Sequence, residues 1–118
     1  MEKPHKKLDV WQKSMDLVVN VYELTRMFPG SEEYGLRNQM RRAAISIPAN
    51  IAEGAARQTK KEFIQFLHMA QASLSELDTH FEISRRLNYL KGEVTLEPAL
   101  LMVNIDKMLT GLIRSLKK

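Results

Sequence analysis

The stretch YGLRNQMRRAAISIPANIAEGAAR, residues 34–57, decides the fold. Its apolar residues Leu36, Met40, Ala44, Ile47 and Ile51 recur at steps of four, four, three and four, the spacing that keeps side chains on one face of an α-helix. Gln39, Arg42, Ser46, Asn50, Glu53 and Arg57 follow the same rhythm and make a wholly polar stripe about 120° round from the apolar one. Pro48 falls in the middle. There it removes one backbone N–H and crowds the carbonyl of Ala44, which costs about 3 kcal/mol in an ordinary helix interior. The small neighbours Ala43, Ala44, Ala49 and Ala52 let another helix approach and support a bend. The spacing therefore predicts one helix over about 31–57, kinked at Pro48, with Gly54 weakening its last turns.

On the N-terminal side, Phe28-Pro29-Gly30 closes an earlier helix, because Pro29 disfavours helical geometry at Phe28 and glycine tolerates positive φ. Ser31 is then a candidate N-cap, with Glu32 and Glu33 at the positive end of the helix dipole. Asp9 followed by Gln12 has the form of a capping box and predicts a first helix over about 9–28, preceded by a flexible charged arm at residues 1–8. That helix carries Trp11, Met15, Val18 and Tyr22 on one face and Val10, Leu17, Val21, Leu24 and Phe28 on an adjoining one. So wide a stripe fits burial on two sides, one of them against a partner subunit, or a thick single core.

On the C-terminal side, Thr59-Lys60-Lys61-Glu62 is a clean capping box and opens a third helix over about 59–90. Phe63, Phe66 or Leu67, Ala70, Leu74, Leu77, Phe81, Ser84 and Leu87 form its inner stripe, Glu82 and Arg86 are spaced for an ion pair, and Asn88, Lys91 and Gly92 stop it. Thr95 with Pro98 three residues on marks a fourth helix over about 96–116, whose Leu101, Ile105, Met108, Leu112 and Leu116 repeat at helical steps. Four helices joined by short connections predict an all-α, antiparallel up-down four-helix bundle in a single domain spanning residues 1–118.

Composition agrees. The 118 residues include only five glycines and four prolines, which suits helices, and no cysteine, which excludes disulfides and thiolate chemistry and fits a reducing cytoplasm. No apolar run is long enough to span a membrane, so no membrane partner is expected. The net charge of +4 is unevenly spread. Arg37, Arg41, Arg42, Arg57, Lys60 and Lys61 face only Glu53 between Leu36 and Lys61, and Lys107, Arg114, Lys117 and Lys118 face no acid near the C-terminus. Segregated positive charge attracts a polyanion, with RNA or DNA the commonest.

Catalytic signals are absent. Glu76 and His80, four apart, supply half of a metal site, the seven methionines sit at core spacing, and no phosphate loop or nucleophile–base pair occurs. No enzyme activity, metal or cofactor is expected. In the polar stripe, a merely solvated face fits Ser46, Asn50 and Glu53 less well; Ser and Asn are poor mid-helix residues, which places the three in hydrogen-bonded contact with a neighbouring helix or subunit. Arg37 and Arg41, one turn apart on another face, are the preferred candidates for phosphate contact, together with Lys60, Lys61, Arg114, Lys117 and Lys118.

The runs DVWQKSMDLV from Asp9, FPGSEEYGL from Phe28, Q-x-R-R-A-A-I-S-I-P-A-N-I-A-E-G from Gln39 to Gly54, and K-K-E-F with FLHMAQASLSELDT resemble the four-helix-bundle family encoded by intervening sequences in bacterial 23S rRNA genes. The resemblance implies a bundle that assembles as a ring, commonly a homopentamer. It also links the chain to the accessory protein of diversity-generating retroelements, which binds a reverse transcriptase and nucleic acid through basic surface. No catalytic residues come with it. Gln39, Arg42, Ser46, Asn50 and Glu53 sit in its signature. The expectation is a non-enzymatic, oligomeric nucleic-acid-binding protein, with a protein-binding adaptor as the alternative.

Overall fold

The computed structural model describes residues 3–118, and among them the regular structure is entirely helical. Four helices follow in order, α1 (Asp9–Thr25), α2 (Leu36–Ala55), α3 (Lys60–Arg86) and α4 (Leu96–Lys117), in a body measuring 44 × 23 × 23 Å. Each helix packs on the next, and α4 closes back onto α1, which makes an up-down four-helix bundle. None of the helices is long and apolar enough to cross a membrane.

The core follows the apolar spacing. Val10, Leu17 and Val21 of α1, Met40, Ala44, Ile47 and Ile51 of α2, Leu67, Leu74 and Leu77 of α3, and Met102, Ile105 and Leu109 of α4 are all buried. Helices α2 and α3 share the most extensive contact, and Gly54 explains how closely they approach. A Cβ at Gly54 would lie 2.7 Å from the Cβ of Phe66 and 3.3 Å from the backbone oxygen of Phe63. The glycine thus serves packing more than flexibility. Helix α2 continues through Pro48, which is buried.

Helix ends show where local chemistry decided. Thr59 caps α3, its hydroxyl accepting from the Glu62 N–H at 3.1 Å and donating to the Glu62 carboxylate at 2.9 Å, so the carboxylate returns to the cap hydroxyl. At the far end of α3, Asn88 takes φ 64° and the Tyr89 N–H returns to the Ser84 carbonyl at 2.9 Å, a left-handed cap. The box expected at Asp9 does not form. Leu8 takes the cap position without a side-chain bond, and Gln12 Nε2 reaches instead to the Lys6 carbonyl at 3.1 Å. That carbonyl is available because Pro4–Lys7 is wound into a 3-10 turn.

Of the arm expected over residues 1–8, residues 1 and 2 lie outside the described residues, and the remainder is folded against the bundle. Pro4 fixes the first φ of the turn, the Leu8 N–H donates to the His5 carbonyl at 3.0 Å, and His5 packs edge-on to Trp11 with ring centroids 5.0 Å apart. Helix α1 ends at Thr25, short of the predicted Phe28, and the 3-10 turn Gly30–Glu32 replaces the predicted first turns of α2. Glu32 caps α2 across Gly35, its Oε1 accepting the Leu36 N–H at 3.1 Å, while its Oε2 accepts from the Tyr89 hydroxyl at 3.0 Å.

Candidate nucleic-acid interface

The antiparallel arrangement sorts the charged residues by end. Interhelical hydrogen bonds fix the alignment: Arg41 on α2 reaches Thr25 and Tyr22 on α1, Ser46 meets Ser73 across α2 and α3, and Gln71 donates to Thr110 across α3 and α4. The start of α1, the end of α2, the start of α3 and the end of α4 therefore share one end of the bundle. Lys60 and Lys61 open α3 there, and Arg114, Lys117 and Lys118 close α4. All five are exposed, and none has an ion-pair partner among the described residues.

Three further cations join them that sequence reading left in the arm. Lys3, Lys6 and Lys7 are exposed on or beside the N-terminal 3-10 turn, which packs against α1 and α2. A lysine-rich segment just before helix 1 of an up-down bundle must fall beside the α2–α3 connection, so topology held the signal that local spacing lacked. Arg57 is at the same end but partly engaged, 3.4 Å from Glu53 and stacked 4.8 Å above the ring of Phe66. Against these cations stand Asp9, Glu53 and Glu62, of which Glu53 is paired and Glu62 is held in the Thr59 cap.

Arg37 and Arg41, the preferred phosphate contacts from sequence, are placed elsewhere and occupied. Arg37 Nε donates to the Thr25 carbonyl at 2.8 Å and its Nη2 to the Phe28 carbonyl at 2.6 Å. Arg41 Nε donates to the Thr25 hydroxyl at 2.9 Å and its Nη2 to the Tyr22 carbonyl at 3.2 Å, with the guanidinium 4.4 Å above the Tyr22 ring. A helix C-terminus leaves carbonyls without amide partners; the guanidiniums bind the Tyr22 and Thr25 carbonyls in the last turn of α1 and the Phe28 carbonyl just beyond it. They cap a helix at the opposite end from Lys60 and Lys117.

The signature polar residues divide. Ser46 Oγ lies 2.7 Å from Ser73 Oγ across α2 and α3, whereas Asn50 Nδ2 stays on its own helix and donates to the Ser46 carbonyl (2.8 Å) and the Ser46 hydroxyl (3.0 Å). Glu53 pairs only along its own helix with Arg57. Gln39 and Arg42 are exposed and line an open cleft of about 460 Å³ with Ser46 and Glu76. His80 lies nearby on α3, 3.9 Å from Glu76, and its Nδ1 is buried without a hydrogen-bond partner. No group of three metal-ligating side chains occurs among the described residues.

Apolar surface is also exposed. On α1, Met15, Val19 and Tyr22 remain accessible while the adjoining face fills the core. On α4, Leu96 (66%), Leu100 (62%) and Val103 (52%) form a stripe on the side away from the core.

These features define a small helical bundle with one lysine-rich end and two unpartnered apolar helix faces. Residues 6–111 match the model of the 23S rRNA-intervening sequence protein family, and the chain belongs to that family. It is similar to the crystal structure of a protein of unknown function from the S23 ribosomal protein family of Bacteroides thetaiotaomicron. That match has a TM-score of 0.80 at 25% identity and covers 87% of this chain and 96% of the other. No curated protein matches the chain.

Proposed function

We propose that the protein is a non-enzymatic, oligomeric nucleic-acid-binding module that grips phosphates with the basic end of its bundle. The observation that carries this reading is the polarisation of charge. Lys3, Lys6, Lys7, Lys60, Lys61, Arg114, Lys117 and Lys118 converge on one end with their side chains unpaired among the described residues, whereas the other end mixes Arg26, Arg37, Arg41, Arg85, Arg86 and Lys91 with Glu23, Glu32, Glu33, Glu82, Glu93 and Glu97. Lys60 and Lys61 further support it. They occupy the first positions of α3, where the helix dipole disfavours cations, and a bound phosphate relieves that repulsion. Arg37 and Arg41 are not part of this contact set.

The net charge of +4 per chain is modest, and a ring of copies, commonly five in the family the sequence resembles, multiplies it by avidity. The two separate apolar faces, Met15 and Val19 on α1 and Leu100 and Val103 on α4, support such a head-to-tail contact. The same α4 stripe favours a second reading, an adaptor that docks another protein and never touches nucleic acid.

Salt separates the two. A titration of labelled RNA and DNA at low and moderate salt, with the oligomeric mass measured in parallel, is expected to show binding that weakens linearly in log salt. Absence of binding at low salt removes the nucleic-acid reading and leaves the adaptor.

A further inference from the structure

Resting on the nucleic-acid reading above, we infer that the ligand of the basic end is a duplex, held by its two phosphate strands, and not a single strand. The first ground is the kind of cation. Lys3, Lys6, Lys7, Lys60, Lys61, Lys117 and Lys118 are point charges on flexible stems, suited to phosphates but without a plane on which a base could stack. The arginines offer little more, since Arg57 is already laid over Phe66 and paired with Glu53, which leaves Arg114 alone with a free guanidinium.

The second ground is the placement of aromatic rings. Sequence-tolerant single-strand binding draws about 1–3 kcal/mol per base from aromatic stacking. At this end Trp11, Phe63 and Phe66 are half-buried, Trp11 with His5 against its ring and Phe66 beneath Arg57. The exposed Tyr34 precedes α2 at the opposite end, and Tyr22 lies under Arg41. A single strand therefore finds charge here but, among the described residues, no fully exposed aromatic ring on which to stack.

The third ground is charge density on a rigid surface. Over the 23 Å width of the bundle, a duplex carries roughly 14 phosphates, those of both strands on its near side facing the protein, and one strand carries roughly seven. The lysines are fixed to helix ends and to a hydrogen-bonded turn, so the protein does not wrap a flexible strand. A duplex brings its phosphates already ordered and avoids the entropy of ordering them. RNA and DNA duplexes share this chemistry.

The test is fluorescence anisotropy of the full chain with three probes of one sequence and equal length, a single-stranded RNA, an RNA duplex and a DNA duplex, at the same low salt. At least one duplex is expected to bind about tenfold or more tightly than the single strand, about 1.4 kcal/mol. Lys60→Gln with Lys117→Gln is expected to weaken that duplex several-fold while the circular dichroism spectrum is unchanged. Equal or tighter binding of the single strand overturns the duplex assignment and leaves the nucleic-acid reading standing. Failure of all three probes to bind overturns both.

Discussion

Gly54 lies where α2 and α3 approach most closely, and an alanine there would press its methyl group to 2.7 Å from Phe66 Cβ. Replacing a helix glycine by alanine ordinarily gains about 1 kcal/mol, but forcing two helices apart costs typically 1–3 kcal/mol. Because Phe63 contributes a backbone oxygen to the contact, a rotamer change cannot relieve it. Gly54→Ala is expected to lower the melting temperature, and an unchanged or raised midpoint in thermal denaturation contradicts the packing account. Tyr89 offers a second test on single residues. Its hydrogen bond to Glu32, then desolvation, then the nearby carboxylate charge all hold its hydroxyl above the ordinary value of 10.0. With the folded value raised, the stabilisation is complete below pH 10 and is lost as pH rises through the higher folded value. Absorbance titration at 295 nm should show one late-ionising tyrosine that disappears in Tyr89→Phe. Neither contact was legible in sequence, since Gly54 read as a weak point of α2 and Tyr89 lies 57 residues from its partner.

Helix α1 depends on α2 for its C-terminal end. Arg37 and Arg41 bind the carbonyls of Thr25, Phe28 and Tyr22 as well as the Thr25 hydroxyl, whose own proton goes back to the Val21 carbonyl at 2.7 Å. Hydrogen bonds from a charged donor contribute about 1.5–3 kcal/mol. Arg37→Met, which keeps the stem and removes the donors, is expected to destabilise the fold by roughly that amount and to speed amide exchange in the last turn of α1. Unaltered exchange there would show that the carbonyls do not need the guanidinium. Sequence reading located α1 to α4 because their apolar residues repeat at helical steps, and it placed the Thr59 start of α3, which ends at Arg86, short of the predicted 90. It misplaced the start of α2 because Gly35 takes φ −106° and ψ −117°, outside helical geometry, and Glu32 caps α2 from beyond it. It read Arg37 and Arg41 as surface cations because their partners belong to another helix. Ser46 has the neighbouring-helix partner, Ser73, that makes such a side chain tolerable in a helix interior, whereas Asn50 bonds only to Ser46 on its own helix.

For the whole molecule, the lysine-rich end is a product of topology. Residues 3–7, 57–61 and 114–118 are far apart in the chain, and only the up-down order brings them together. Sequence revealed two of the three groups through their lack of acids, and missed the first because a charged segment before a helix reads as a solvated arm. If the ring contact uses the α4 stripe, Leu100→Glu should lower the oligomeric mass without unfolding the monomer, checked by light scattering and circular dichroism. An unchanged mass would move the contact to another face. The central claim is that the basic end, and not the arginines at the opposite end, binds phosphate. Its most direct test is the salt dependence of duplex binding in the native protein and in a Lys60→Glu, Lys61→Glu, Lys117→Glu variant with the same oligomeric mass. The account predicts that log K falls with log salt with a slope of magnitude about 3 or more for the native chain, and that the variant loses most of its affinity and most of that slope. A variant that binds as tightly, with the same slope, would contradict it.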